Sequence, residues 1–164
     1  MQNMIGSKTT MDKGMLQHAD ISSEEEFIRH MIPHHQEAVY TASRLSQITQ
    51  NETLKKLTTN IVVGQQQEID MMQQWLQNRY ATGTVQVAYQ PMMRDTTTLS
   101  AIESIEHIWL EDMIEHHMGA VMMAKEVLQL SPRPEVLVFA NNVIDAQSQE
   151  ITQMKKMLRD DKKL

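Results

Sequence analysis

The residues best equipped for chemistry are two pairs of adjacent histidines, each preceded by a methionine. His34-His35 follows Met31 by three and four residues, and His116-His117 follows Met113 at the same spacing. Imidazole nitrogen binds copper and other transition metals, and thioether sulfur favours soft ions such as Cu(I). In a helix, residues three and four apart share a face. The spacing therefore predicts that each half of the chain presents nitrogen and sulfur ligands together.

These pairs belong to an internal repeat. Residues 27–76 align with residues 109–158 at a constant offset of 82, without a gap, and fifteen of the fifty positions are identical. Beyond the histidines and their methionines, the shared polar or sulfur-bearing positions include Gln65/Gln147, Glu68/Glu150 and Met72/Met154. Apolar matches follow from shared packing, but retained His, Glu and Met indicate retained ligand chemistry. The chain is predicted to be a duplicated metal-binding hairpin.

Helical geometry pairs these residues across each hairpin. With a turn near Asn51, residues equidistant from the turn lie at one level, so His35 should face Glu68 and Met31 should face Met72. The second half repeats this arrangement with His117 and Glu150, and with Met113 and Met154. Two interpretations stay open: the histidines bind a metal and the glutamates orient them, or the His–Glu pairs only satisfy one another in the core. The methionines are likewise either ligands or core filler.

On a helical wheel, His34 and His116 fall at the flank of the apolar stripe. His30 with His34, and Asp112 with His116, are spaced i,i+4, so each pair could hold one ion from a helix surface. The alternative is that these are solvated surface residues. Met118 and Met122 form an i,i+4 thioether pair predicted to lie on the helix surface, where it could exchange a soft ion.

Four striped segments must position these side chains. Ser22 and Ser23 should cap a helix running to about Ile48, and Asn51 one closing near Arg79. After a connection over residues 80–99, Ser100 should cap a third helix ending near Leu130. Pro134 suits the first turn of a fourth, which ends near Asp160. The prediction is an all-α, ferritin-like four-helix bundle of two repeated hairpins (24–79 and 100–160) in one domain, 22–164, preceded by a flexible Met-containing arm, 1–21. Crossover and simple up-down topologies both stay open.

Composition narrows the class of protein. The chain has 164 residues and a net charge of −6, without a basic run, so nucleic acid is not an expected partner. No apolar run approaches the roughly 18–20 residues that a membrane span needs. Fifteen methionines accompany no cysteine, which favours an oxidising compartment. We expect a periplasmic or otherwise extracytoplasmic protein, although no signal peptide is visible in residues 1–20.

Around the histidine pairs the chain resembles a bacterial, ferritin-like family known as domain of unknown function 305. The family's Met-Ile-x-His-His run is matched by residues 31–35 and 113–117, and its later Gln-x-Glu-Ile pattern by residues around Glu68 and Glu150. The resemblance covers about residues 24–160. It implies a helical bundle of two hairpins, export from the cytoplasm, and the copper and silver binding and copper tolerance associated with some members. Glu37, where Gly is more usual, and Glu115, where Pro is more usual, depart from the pattern.

We therefore predict a non-enzymatic copper-binding protein that prefers Cu(I), with Ag(I) and Cu(II) as further candidates. Its role would be sequestration, tolerance or delivery, with a copper-exporting or copper-accepting protein as partner. Two alternatives stay open. A metal-dependent oxidase is disfavoured because each half lacks the Glu-x-x-His ligand pair of di-iron bundles. A metal-free helical adaptor would use the His–Glu pairs only for packing.

Overall fold

The described part of the chain, residues 20–80 and 87–161 of this computed structural model, forms four long helices. They are α1 (Glu24–Ile48), α2 (Glu52–Arg79), α3 (Ile102–Leu128) and α4 (Pro134–Asp161), and these residues include no strand. The predicted all-α, four-helix fold is therefore confirmed. The predicted arm falls outside the described residues up to position 19, as do residues 81–86 of the connection.

Side-chain caps start the first two helices where the sequence indicates. The Ser23 hydroxyl accepts a hydrogen bond from the backbone N–H of Glu26 at 3.1 Å. The Asn51 side-chain oxygen accepts one from the N–H of Leu54, also at 3.1 Å. Each cap satisfies an N–H that has no partner within its own helix. The short turn between the two helices is fixed in this way, and with it the level at which their side chains meet.

The ends of α3 differ slightly from the prediction. Ser100 is not its cap: the helix starts one residue later, after Ala101, which makes no side-chain cap hydrogen bond. The helix also stops at Leu128 instead of near Leu130. Shortly after it, Ser131 adopts a left-handed backbone conformation with φ of 51°. That conformation reverses the chain toward α4, so the turn is completed earlier than composition alone suggests.

The connection between α2 and α3 runs the length of the bundle. Tyr80, at the end of α2, donates a hydrogen bond to Glu24 at the start of α1, with an O–O distance of 3.1 Å. Glu106, at the start of α3, instead accepts one from Thr49, at the end of α1. The end of α2 and the start of α3 therefore lie at opposite ends, which makes these two helices parallel. Of the two topologies that the sequence leaves open, the structure has the one with a crossover.

Each of the two core clusters contains residues from both repeats. The first core cluster combines the N-terminal half of α1 with the C-terminal half of α3 and the N-terminal half of α4. The second combines the C-terminal half of α1 with the N-terminal half of α3. The first contains Phe27, Ile28, Met31, Met72, Ala120, Met123, Ala124, Val127, Val136, Phe139, Ala140 and Val143; the second contains Ala38, Ala42, Leu45, Leu54, Leu57, Ile61, Trp109, Leu110, Met113, Ile114 and Met154. α1 and α3 are thus antiparallel, related by an approximate twofold.

The outward faces are polar, with a few exposed apolar side chains. Gly64 of α2 is exposed. A Cβ added to it would have no neighbouring atom within 4 Å. Across residues 20–80 and 87–161, no helix combines the length and apolar character needed to cross a bilayer. The helices therefore bury one face each, against one another.

Candidate metal site

His34 of α1 and His116 of α3 stack against each other where these helices meet between the two core clusters. Their ring centroids are 3.6 Å apart and their planes differ by 27°. His34 is 3% exposed and His116 is 0% exposed. Both residues lie at the flank of the stripe as expected, but the expectation that this flank is a helix surface is wrong. Two antiparallel helices place their flanks against each other at the crossing, so that the flank of each helix becomes the centre of the bundle.

The other two histidines pair with glutamates of their own hairpins, as predicted. His35 Nε2 lies 2.6 Å from a carboxylate oxygen of Glu68, and His117 Nε2 lies 2.7 Å from one of Glu150. Both rings are fully buried, whereas Glu68 and Glu150 reach the surface with 26% and 22% of their side chains exposed. An ionised carboxylate can only accept, so each Nε2 donates, and in a neutral ring Nδ1 is then the nitrogen with a free lone pair.

Together the four rings form a histidine row across the bundle, in the order His35, His34, His116, His117. Neighbouring centroids within each helix are 6.4 Å and 6.3 Å apart. Among the described residues, both nitrogens of His34 and the Nδ1 atoms of the other three are buried without a hydrogen-bond partner, as is the side-chain oxygen of Gln65 and that of Gln147. Most buried polar groups in proteins are paired. The row therefore concentrates lone pairs that the protein itself leaves unused.

Methionine sulfur lies on either side of the row. Met31 and Met72 belong to the first core cluster, and Met113 and Met154 to the second. All four are fully buried. Because Met31 and Met113 precede their histidine pairs by three and four residues on the same helix, thioethers are available next to the imidazoles. Each predicted pair thus falls in one cluster, and the direct contact of Met31 with Met72 and of Met113 with Met154 stays a prediction.

Glu37 breaks the symmetry of the row, and sequence reasoning missed its role. One of its carboxylate oxygens lies 3.4 Å from Nε2 of His116. Glu37 also accepts hydrogen bonds from the Tyr89 hydroxyl at 2.8 Å and from the backbone N–H of Met92 at 2.9 Å. It thereby ties the crossover to α1. One sequence signal lies in the repeat, since the position matching Glu37 in the second half is Gly119.

Burial sets the charge state of the stacked pair. It holds the pKa of His34 well below its ordinary value, and the neighbouring histidines lower it further. Burial also lowers the pKa of His116 to about 4, although Glu37 opposes this effect. Burial raises the pKa of Glu37, but the hydrogen bonds from His116, Met92 and Tyr89 outweigh it and leave that pKa below its usual value. At neutral pH two neutral imidazoles therefore face one carboxylate.

The predicted i,i+4 pairs do not form shared sites in this structure. His34 turns into the row, while His30 is only partly buried and interacts electrostatically with Glu26. Asp112 accepts hydrogen bonds from Arg94, from its backbone N–H at 2.7 Å and from its Nε at 2.9 Å. Over the described ranges, no three His, Asp or Glu residues form a group that could hold a metal ion. Sulfur ligands or a rotated imidazole would have to complete any site.

Surface methionines in the second half only partly match the prediction. Met122 is 37% exposed, as expected for a helix surface. Met118 is partly buried and packs against the second core cluster. Met123 is 2% exposed and belongs to the first cluster. In the crossover, Met93 packs against the second cluster. The ligand role of all these residues stays a prediction.

The donors fit a soft monovalent ion. The row supplies neutral nitrogen ligands and the core clusters supply neutral sulfur, the combination that Cu(I) and Ag(I) favour. The stack itself cannot serve as it stands, because nearly parallel rings direct their in-plane lone pairs side by side and not toward a common point. A small rotation of either imidazole about its side-chain bonds would let both reach one ion.

Comparison with known proteins places the fold. The family model described as domain of unknown function (DUF305) matches residues 24–158. CopM in its Cu(II)-bound form is 32% identical with a TM-score of 0.75, covering 85% of this chain and 97% of that one. CopM in its Cu(I)-bound form is also 32% identical, with a TM-score of 0.73 and coverages of 85% and 98%. CopM has also been crystallised with silver bound.

A DUF305 protein from Streptomyces coelicolor, described as a candidate secreted protein, is 26% identical with a TM-score of 0.72. The match covers 84% of this chain and 93% of that one. No curated protein sequence matches this chain. The solved relatives therefore share the four-helix architecture along nearly their whole length, and CopM among them has been crystallised with copper or silver bound.

Proposed function

We propose that this chain, which belongs to the DUF305 family, binds Cu(I) through its histidine row and the flanking buried methionines, with Ag(I) and Cu(II) as further ligands. The observation that carries the proposal is the set of buried imidazole nitrogens without partners at the bundle centre. Structures of CopM with Cu(I), Cu(II) and silver bound support the same chemistry in a relative of this fold. Metal is cargo in this proposal, bound and released without a reaction.

Energetics argue against the row as simple packing. A buried polar group without a partner costs about 1–3 kcal/mol, whereas an apolar side chain of similar volume at the same place costs nothing of this kind. His34 carries two such nitrogens and has no carboxylate partner of its own. A protein that needed only a stable core would be better served by leucine. Retaining a destabilising group is typical of a functional site.

The carboxylates around the row make room for a positive charge. Burying a cation in an apolar core is costly unless opposite charges lie nearby. Glu68 and Glu150 contact the outer rings, and Glu37 contacts His116 of the inner pair. Donation of Nε2–H to a carboxylate also orients a ligating imidazole and strengthens its other nitrogen as a ligand. Glu68 and Glu150 would thus support the ligands without binding the ion themselves.

The ligand types favour a soft ion and allow exchange. Thioethers need no deprotonation, so sulfur ligands keep working when imidazoles protonate. Met118 and Met122 on α3 would serve as outer thioether donors, with His117 and Met113 beneath them in the core. The nitrogen and oxygen donors near His116 and Glu37 suit Cu(II) better. Binding of either oxidation state would serve sequestration, tolerance or delivery to a copper-exporting or copper-accepting protein, outside the cytoplasm.

Anaerobic titration with Cu(I) against a competing chelator tests the proposal. The parent should retain Cu(I), and the double variant His34→Leu/His116→Leu should bind it at least about tenfold more weakly, a loss of roughly 1.4 kcal/mol. His107, which is 39% exposed and lies beside Glu111, provides the matched control His107→Leu. Equal affinity in all three proteins, or no retained Cu(I) in the parent, would show that the row is a packing device in a metal-free bundle.

A further inference from the structure

A cavity of about 840 Å³ lies between α1, α3 and the crossover, beside the histidine row. Its lining includes Pro33, Glu37, Thr41, Tyr89, Trp109 and Asp112. The stacked pair does not itself line this cavity. Glu37 does, and the same carboxylate lies 3.4 Å from His116 Nε2. This side chain therefore touches the cavity on one side and the inner imidazole of His116 on the other.

Because the inner rings are buried, the contact between Glu37 and His116 determines how an ion can reach them. In the side chains, His116 is 1% exposed and Glu37 is 10% exposed. His34 is 3% exposed. An ion from solvent cannot reach the inner rings without passing a side chain that covers them. On the crossover side, Glu37 and Tyr89 are that cover, since the Tyr89 hydroxyl also lies 3.5 Å from His116 Nε2.

The charge of Glu37 is available to a passing cation. Its described partners are the Tyr89 hydroxyl, the backbone N–H of Met92 and Nε2 of His116; the arginines that also line the cavity, Arg44 and Arg94, are not among them. Asp112, also in the cavity wall, is instead neutralised by Arg94 at 2.7 Å. A partly buried carboxylate without a cationic neighbour attracts cations more strongly than one exposed to water.

A second approach exists on the opposite side but is less suitable. A groove between α2 and α4 is lined by Glu68, Met71 and Trp75 among others, and Glu68 contacts the outer ring of His35. The Glu68 carboxylate is already engaged there at 2.6 Å with His35 Nε2, a nitrogen that carries a proton. An ion entering by this groove would meet a donated N–H, not a lone pair.

We infer that Glu37 is the entry residue for soft monovalent cations: the ion crosses the cavity beneath the crossover, binds the Glu37 carboxylate, and transfers to the inner imidazoles of His116 and His34. This inference rests on the proposed function. The transfer exchanges one oxygen ligand for nitrogen ligands on the same ion, without change of oxidation state. Because position 119 is glycine, the route exists on one side of the row only.

Rates of loading separate this role from binding itself. Ag(I), supplied as a complex with a chromophoric chelator, would be transferred to metal-free protein in a stopped-flow instrument. Glu37→Gln should load at least about fivefold more slowly than the parent, because the variant has lost the attracting charge. At saturating Ag(I) the variant should still fill to the stoichiometry of the parent, although loss of the nearby negative charge weakens its affinity. Glu37→Asp should restore the rate, and Glu115→Gln, an exposed carboxylate beside His116, should leave it unchanged.

Each other outcome has a defined meaning. Equal rates for Glu37→Gln and the parent, with equal silver content, would overturn the entry role while leaving the proposed function intact. Slower loading in Glu68→Gln alone would assign entry to the α2–α4 groove and also overturn it. Absence of retained silver in the parent would refute the proposed function itself. If Glu37→Gln fails to fold, Tyr89→Phe decides: it frees the carboxylate of one hydrogen bond, so fivefold slower loading there would contradict the inference.

Discussion

Replacement of His34 by leucine should make the metal-free protein more stable. Both ring nitrogens of His34 are buried without a partner. Relieving an unsatisfied polar group is worth about 1–3 kcal/mol. Loss of the stack on His116, at 3.6 Å, should take back about 0.5–1.5 kcal/mol. At the midpoints of these two ranges the free energy of unfolding should therefore rise by about 1 kcal/mol, while metal binding is weakened.

The adjacent residue supplies the matched control. His35 is equally buried, but its Nε2 donates to Glu68 at 2.6 Å. His35→Leu should lower the free energy of unfolding by about 1–3 kcal/mol, because it removes a hydrogen bond to a charged group and leaves the carboxylate beside an apolar side chain. Two neighbouring histidines, replaced by the same residue, should thus shift stability in opposite directions.

Urea unfolding followed by circular dichroism at pH 8, with a chelator present, measures both effects. The chelator matters because any ion bound to the folded state adds stability by mass action. A decrease of more than about 1 kcal/mol for His34→Leu would show that its nitrogens are satisfied in solution. Such a decrease would refute the proposal that the protein retains the row for ligand binding at the expense of stability.

Three further outcomes are expected. Stability should fall as the pH drops from about 6.5 to about 4, because His116 takes up a proton in the unfolded chain but stays neutral in the folded protein, where its pKa is lowered to about 4. The loss is up to about 3 kcal/mol, and a flat urea-midpoint profile over this window would contradict it. Met113→Leu/Met154→Leu should weaken Cu(I) retention at least about tenfold but change the unfolding free energy by less than about 1.5 kcal/mol, so unaltered chelator competition would remove sulfur from the site. Ser131→Gly should raise the free energy of unfolding by about 1 kcal/mol, seen as a melting temperature roughly 2–4 °C higher, because glycine adopts φ of 51° without strain; an unchanged or lower value would indicate that the serine side chain stabilises the turn.

Within each hairpin, sequence reasoning reaches individual contacts. A short turn capped at Asn51 fixes the level of every residue on α1 relative to α2, so the sequence alone predicts that His35 faces Glu68. The repeat carried the same assignment to His117 and Glu150. These are consequences of helical rise and a known turning point, and they need no information about the other hairpin.

Between hairpins, the sequence is much less informative. The wheel of α1 alone puts His34 at the edge of its apolar stripe, and only the antiparallel approach of α3 turns that edge into the bundle centre. Glu37 lies one turn further along and carries no periodic signal. Its partners Tyr89 and Met92 come from a long crossover whose path is set by tertiary contacts. The histidine row was therefore half predicted, and its entry side was not predicted at all.

The shared core has a consequence for how such a chain could arise. Each cluster draws helices from both repeats, so one hairpin alone would leave half of each core open to water and would have to associate with a second copy. Two identical hairpins would carry the same residue at both symmetry-related positions. Joined in one polypeptide, they hold glutamate at position 37 and glycine at position 119. Because the two hairpins are joined in one polypeptide, the proposed entry side at Glu37 needs no symmetry-related copy in this approximately twofold bundle.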